Sequence, residues 1–228
     1  VEDPGSPIYL DENIISQPAA ALQLVAKEIF RMSDQVRDIL KKTIELVKNE
    51  EVKSIDGLKE NGEQVERLGK CITEYLGLLT EQQAAQTASL MCVLSDVERM
   101  GTLSVEMAEC MLERSDRKYK YTPEAMDELQ KSLKVLNKMF CDSLKALQGD
   151  DGIEPGKMMK RKDKLLDLDI KMRKAHIERV NKGKCKASLT APFTNILHLI
   201  DRMGNSCINL ADVAESGTSM KYFMLEEK

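Results

Sequence analysis

Tryptophan is absent, aromatic residues make up only 4% of the chain, and 228 residues contain just 6 Pro and 12 Gly. An all-β sandwich or barrel needs aromatic and β-branched strands with a turn signal about every 8–12 residues, so that class is excluded. There are two histidines, His176 and His198, and neither has a Glu three positions before it, the spacing used by di-iron bundles. No HExxH, P-loop or GxSxG stretch occurs, which removes the zincin, nucleotide-hydrolase and serine-hydrolase classes. The cysteines at 71, 92, 110, 141, 185 and 207 form no CxxC. All but Cys185 fall in apolar helical runs, where a thiol packs as a small hydrophobe, so a reducing compartment and no disulfide framework are expected. No uncharged run approaches the roughly 18 residues of a membrane span, and no signal peptide is visible.

Leu, Glu, Lys, Met and Ala abound, with 13 Met, 42% apolar and 32% charged residues. That composition predicts an all-α globular chain. Net charge is only −4, but the stretch 157–186 carries 12 Lys/Arg against 4 Asp/Glu. It reads as a solvated helix face or as a face for anionic lipid headgroups or an acidic partner. Nucleic acid is not expected, because no aromatics interleave with those cations.

Residues 1–17 read as a lead-in arm. Pro18 opens a helix whose Leu22, Val25, Ile29, Met32, Val36, Leu40 and Leu46 recur at helical spacing. Ser54-Ile-Asp opens a second, with Ile55, Leu58, Val65, Leu68, Ile72, Tyr75 and Leu79 inward. Thr80-Glu-Gln-Gln83 reads as a capping box for a third, where Leu90, Leu94, Val97, Gly101, Ser104, Ala108 and Met111 step by four and three. Thr122-Pro123 starts a fourth helix, Glu154-Pro155 a fifth, and a sixth runs from about Ser188 to Glu215, with Ile196, Ile200, Met203, Cys207 and Leu210 inward. Short loops between long helices predict six helices in two tandem antiparallel three-helix bundles, 18–117 and 118–228, end to end or side by side. Met91, Met100, Met107, Met111 and Met203 read as core, and His198 as a core-edge residue.

One unusual stretch is written twice. DVERMGTLSVEMAE, from Asp96, is echoed by LIDRMGNSCINLAD, from Leu199, so that Glu98, Arg99 and Gly101 match Asp201, Arg202 and Gly204 at an offset of 103 residues. Such an echo marks duplication. Residues i and i+4 share a helix face, so Glu98 aligns with Thr102 and Asp201 with Asn205, and the intervening Gly opens the backbone to a neighbour. The fifth helix offers Asp163 and Asp167 as an i, i+4 pair. The second helix offers Glu66, with Glu63 beside it and Gly62 at the spacing of the missing acid. The candidate oxygen-rich sites are Asp163, Asp167, Asp201 and Asn205 in the second bundle, and Glu66 and Glu98 in the first. Such sets suit one hard cation, Fe, Mg, Mn or Ca. The competing reading is that these acids serve interhelical salt bridges.

The doubled [D/E]-R-M-G, at the start of the last half of the third helix of each triplet, resembles the PhoU family. That resemblance implies two three-helix bundles, acidic E/D-x-x-x-D motifs that hold metal clusters in some members, and a role in phosphate homeostasis without catalysis. Thr102, Asn205 and Gly62 depart from the acidic pattern. The lead-in LDENIISQPAAALQLVAKEIFRM is similar to the segment after the last membrane helix of bacterial sodium/phosphate cotransporters, which carry a PhoU-like cytoplasmic domain. With the start at Val1, it favours a regulatory domain of such a transporter on the cytoplasmic side of the inner membrane. Its partners would then be the membrane transport domain, the membrane surface through 157–186, and further copies of the chain. The alternative expectation is a free-standing adaptor that binds a transporter and a sensor kinase.

Overall fold

The computed structural model describes residues 2–49, 52–79, 83–115, 118–150, 152–154 and 156–216. The capping box at 80–82, Pro155 and the end of the second bundle beyond 216 lie outside them. Six long helices follow one another, with no strand among the described residues: α1 (Pro18–Lys48), α2 (Asp56–Leu76), α3 (Ala84–Ser115), α4 (Pro123–Leu147), α5 (Lys157–Asn181) and α6 (Thr190–Ser216). The all-α expectation holds.

Local chemistry accounts for the helix starts. Pro18 and Pro123 occupy first-turn positions, where the missing N–H is no loss. Thr122 accepts a hydrogen bond from Ala125 N at 3.2 Å, as a cap residue should. Ser54 Oγ accepts from Asp56 N, so it turns the chain into α2 from two residues outside the helix. α5 starts later than the sequence suggested, because Gly156 at φ 83° provides a left-handed turn ahead of Lys157. α6 is preceded by a 3-10 turn at Ala187–Leu189.

The triplets lie side by side. α1, α3, α4 and α6 form the inner layer, with α1 on α3, α3 on α6, α6 on α4 and α4 on α1. α2 covers α1 and α3, and α5 covers α4 and α6. The seam residues predicted for α3 and α6 are all buried, in one core continuous through both triplets. Each fully buried aliphatic side chain contributes about 1.5–3 kcal/mol. A Cβ at Gly101 would sit 3.4 Å from Val36 Cγ2, so the first motif glycine lets α1 approach α3 closely.

Polar ties fix the register. Asp96 on α3 accepts from Arg99 at 3.3 Å and from Asn209 on α6 at 3.2 Å. Burial pushes its carboxyl upward, against the pull of Asn209 and Arg99. Thr43 of α1 donates to Ser104 O on α3. Glu28, fully buried, accepts from the N–H groups of Ile8 and Tyr9 and pins the lead-in arm to α1. Arg67 meets Asp3, and the Tyr75 hydroxyl donates to Asp11 O, so the arm also lies along α2.

Several expectations are corrected. His198 is exposed, and the buried histidine is His176. Its Nε2 lies 2.9 Å from Thr190 Oγ1 and its ring stacks on Phe193. Met91 is exposed, whereas Met100, Met107, Met111 and Met203 are core. Cys185, which lies outside the apolar runs, is buried, and Cys92 within one is exposed.

Candidate functional site

The two motif copies face different surroundings. Glu98 projects from α3 onto α2 exactly where α2 has no side chain: a Cβ on Gly69 would stand 1.6 Å from Glu98 Oε1. Around it runs a groove of about 330 Å³ between α2 and α3. Glu63, Glu66, Glu98, Glu106 and Glu109 line it, with Lys59 the cation among them. Burial, and then the charge of Glu66, push the Glu98 carboxyl above its ordinary value. The structure therefore brings Glu66 and Glu98 together, as the spacing suggested, with Thr102 on the same groove.

The second copy is closed. Asp201 Oδ1 is 2.6 Å from Lys162 Nζ, and the same ammonium lies 3.4 Å from Asp201 O. A Cβ on Gly204 would meet Leu165 Cδ1 at 3.1 Å and Lys162 Nζ at 3.4 Å. The space between α5 and α6 beside Asp201 shrinks to about 10 Å³. Leu165 and Lys162 set the face of α5 that meets α6. Asp163 and Asp167 lie about 160° around the helix from Leu165 and are exposed. The structure does not bring Asp163 and Asp167 together with Asp201 and Asn205. It supplies Asp201 with a lysine instead, and Asn205 is exposed.

Among the described residues, no three or more His, Cys, Asp and Glu are grouped to hold a metal ion. The residues present thus supply two close carboxylates in the first groove and a salt bridge in the second. Neither fits the multinuclear acidic set that the family resemblance implies.

The basic stretch divides three ways. Lys162 turns to Asp201. Arg161 turns to α4, where it meets Asp142, a carboxylate that also accepts from Lys138 at 3.2 Å. Burial raises the Asp142 carboxyl, but the hydrogen bonds of Arg161 and Lys138 outweigh it, and it titrates below its ordinary value. Arg173 pairs with Asp169 at 2.8 Å. On the outer face Met159, Leu166, Ile170 and Ile177 are exposed among lysines. No helix among the described residues is long and apolar enough to cross a membrane.

Comparison with known proteins agrees with the resemblance carried by the doubled motif: residues 29–111, spanning α1 to α3, match the model of the PhoU domain family. The chain is also similar to the phosphate-specific transport system accessory protein PhoU homolog 1 of Thermotoga maritima, at 27% identity over 207 residues that cover 88% of each chain. No solved structure matches significantly. The two matches support a PhoU-like chain.

Proposed function

We propose that this chain is a PhoU-like, non-enzymatic regulator of phosphate transport that acts by binding transport components on the cytoplasmic side of the membrane. The observation that carries the proposal is the similarity to a phosphate-specific transport accessory protein along 88% of both chains. The free-standing adaptor, engaging a transporter and a sensor kinase, is the better supported form. A relative of the same extent is named as an accessory protein rather than as part of a transporter. The cotransporter setting is the second reading, favoured by the lead-in arm. That arm is pinned along α1 and α2 through Glu28, Arg67 and Tyr75, which suits a segment that relays movement into the bundle. The exposed apolar residues of α5 among its lysines suit contact with an anionic bilayer.

The mechanism would be conformational. Partners would bias the packing of α2 or α5 on the inner four helices, and no residue needs to do chemistry. The test is deletion of the gene in its own host, followed by phosphate uptake and a phosphate-starvation reporter at high and low phosphate. The expected result is starvation signalling or uptake that no longer follows phosphate, restored by the intact chain. Unchanged regulation of both would overturn the proposal. Crosslinking from the arm then separates the two readings by whether the captured transporter is a separate polypeptide.

A further inference from the structure

One cavity lies away from both motifs. It is a groove of about 820 Å³ along α4 and α5, closed at one side by Arg37 of α1. On α4 the cations Lys131, Lys134, Lys138 and Lys145, with Val135, Asn137 and Cys141 among them, fall within about a 160° arc of one helix. Arg161, Lys164 and Leu168 of α5 form the opposite wall. Seven of the lining residues are cations and none is a carboxylate. Asp142 lies beneath, already bound by Arg161 and Lys138. No described carboxylate lies within ion-pair distance of Lys131, Lys134, Lys145 or Lys164. Like charges are held together here along two packed helices, an arrangement that a bound anion would stabilise.

The floor narrows the ligand class. Val135, Cys141 and Leu168 are half-buried between the two rows of cations. A volume in the range of about 300–1,000 Å³ fits a small molecule. Inorganic phosphate would meet two or three of the cations and leave the floor bare. An apolar ligand would leave the cations unused. The geometry points to a site for a compact polyphosphorylated metabolite with a flat or apolar body, the chemical class of the nucleoside polyphosphates. The phosphates lie along Lys131, Lys134, Lys138, Arg161 and Lys164, and the ring rests on the floor. Because no free carboxylate opens on the groove, the ligand is held by ammonium and guanidinium groups directly, without a bridging divalent cation, and is not hydrolysed. This site goes beyond the transport proposal and does not rest on it.

The test is calorimetric titration of the full chain with ATP in EDTA at low salt, beside tripolyphosphate, inorganic phosphate and adenosine. ATP is expected to bind with one site. Tripolyphosphate should bind roughly tenfold more weakly, for want of the floor contact, and adenosine not at all. Lys134→Ala with Lys164→Ala, both exposed, should weaken ATP at least about tenfold with unchanged thermal unfolding. Leu168→Ser should weaken ATP but not tripolyphosphate. In the unmodified chain, saturating ATP should slow alkylation of Cys141, which lines the groove, and leave exposed Cys92 unaffected. Absence of ATP binding, a requirement for Mg²⁺, or an unprotected Cys141 would overturn the site. Equal affinity for tripolyphosphate and ATP would overturn the nucleoside class. Binding of phosphatidylglycerol vesicles through the same lysines with no ATP binding would make the groove a lipid contact and end the proposal.

Discussion

Gly69 offers a sharp test of how the first motif copy is built. Replacing a mid-helix Gly with Ala ordinarily stabilises by about 1 kcal/mol, because the unfolded chain loses freedom and the helix gains a better former. At Gly69 the new Cβ would stand 1.6 Å from Glu98 Oε1. Ordinary contact is near 3.4 Å, so the carboxyl must retreat by about 2 Å. The carboxyl retreats within a groove it shares with Glu66, whose charge already raises it. The carboxyl is the far end of a flexible side chain, so its displacement costs only the low end of overpacking, about 1 kcal/mol, which offsets the propensity gain. Gly69→Ala should therefore leave stability nearly unchanged. With Glu98→Ala the obstacle is gone, and Gly69→Ala should then stabilise by about 0.5–1 kcal/mol. The assay is urea unfolding of the four proteins at pH 7, read as a double-mutant cycle. A coupling of about 0.5–1 kcal/mol is expected, with the gain appearing only in the Glu98→Ala background. If Gly69→Ala stabilised equally in both backgrounds, Glu98 would not occupy the place of the missing side chain.

Four further outcomes follow from buried or paired ionisable groups. Glu98 has a raised folded pKa, so its contribution is fully present below its ordinary 4.5 and is lost as pH rises through the folded value; Glu98→Gln should shrink the loss of urea midpoint between pH 4.5 and 7. His176 runs the other way: burial, and then Arg179, depress its pKa, so stability is present above its ordinary 6.5 and falls with acidification, and His176→Phe should flatten the decline from pH 7 to 5. Asp142→Ala leaves Arg161 without its partner in a largely covered position and should cost about 3 kcal/mol in the same unfolding assay; a loss below 1 kcal/mol would show that water serves Arg161 as well. Asp201 is already held by Lys162, so Mn²⁺ titration followed by electron paramagnetic resonance should give the same free-ion curve for Asp201→Ala as for the unmodified chain, and loss of a bound ion in the variant would restore the second copy as a metal site.

The helices were legible because burial follows a period of 3.6 residues, and the inner positions read from α1, α3 and α6 are inner positions in the structure apart from Leu46 of α1, which is half-buried, and Met91 of α3 and His198 of α6, which are exposed. The site was less legible, because spacing says which residues share a face but not which neighbour that face meets. Asp163 and Asp167 do share a face of α5, and it is the outer one. The missed signal was the apolar step Met158, Leu165, Met172, all buried, which places Lys162, Asp169 and His176 on the seam towards α6. Read through that seam, the charge-rich stretch 157–186 divides among α4, α6 and solvent. A count of charges carries no angle, so it could not show this. The groove at α4 was illegible for the same reason: spacing puts its lysines on one helix face but does not place α5 opposite them.

The divergence of the two motif copies has a cause in the partner helix rather than in the motif. The offset of 103 that aligns Glu98 with Asp201 also aligns Lys59 with Lys162, Glu66 with Asp169, Gly62 with Leu165 and Gly69 with Met172. Lys59, Gly62 and Glu66 line the α2–α3 groove, and Leu165, Asp169 and Met172 line the small space between α5 and α6. Where α2 has Gly62 on the groove and Gly69 beneath the Glu98 carboxyl, α5 has two large apolar side chains, and the groove falls from about 330 Å³ to about 10 Å³. With that space filled, the aligned lysine no longer faces a row of glutamates but lies on one aspartate. Lys162 thus closes a salt bridge where Lys59 shares a groove with five carboxylates. The same backbone has produced an acidic groove on one triplet and a basic groove on the other. Gly62 on α2 keeps the first open, and α5 forms the second with its remaining face, against α4.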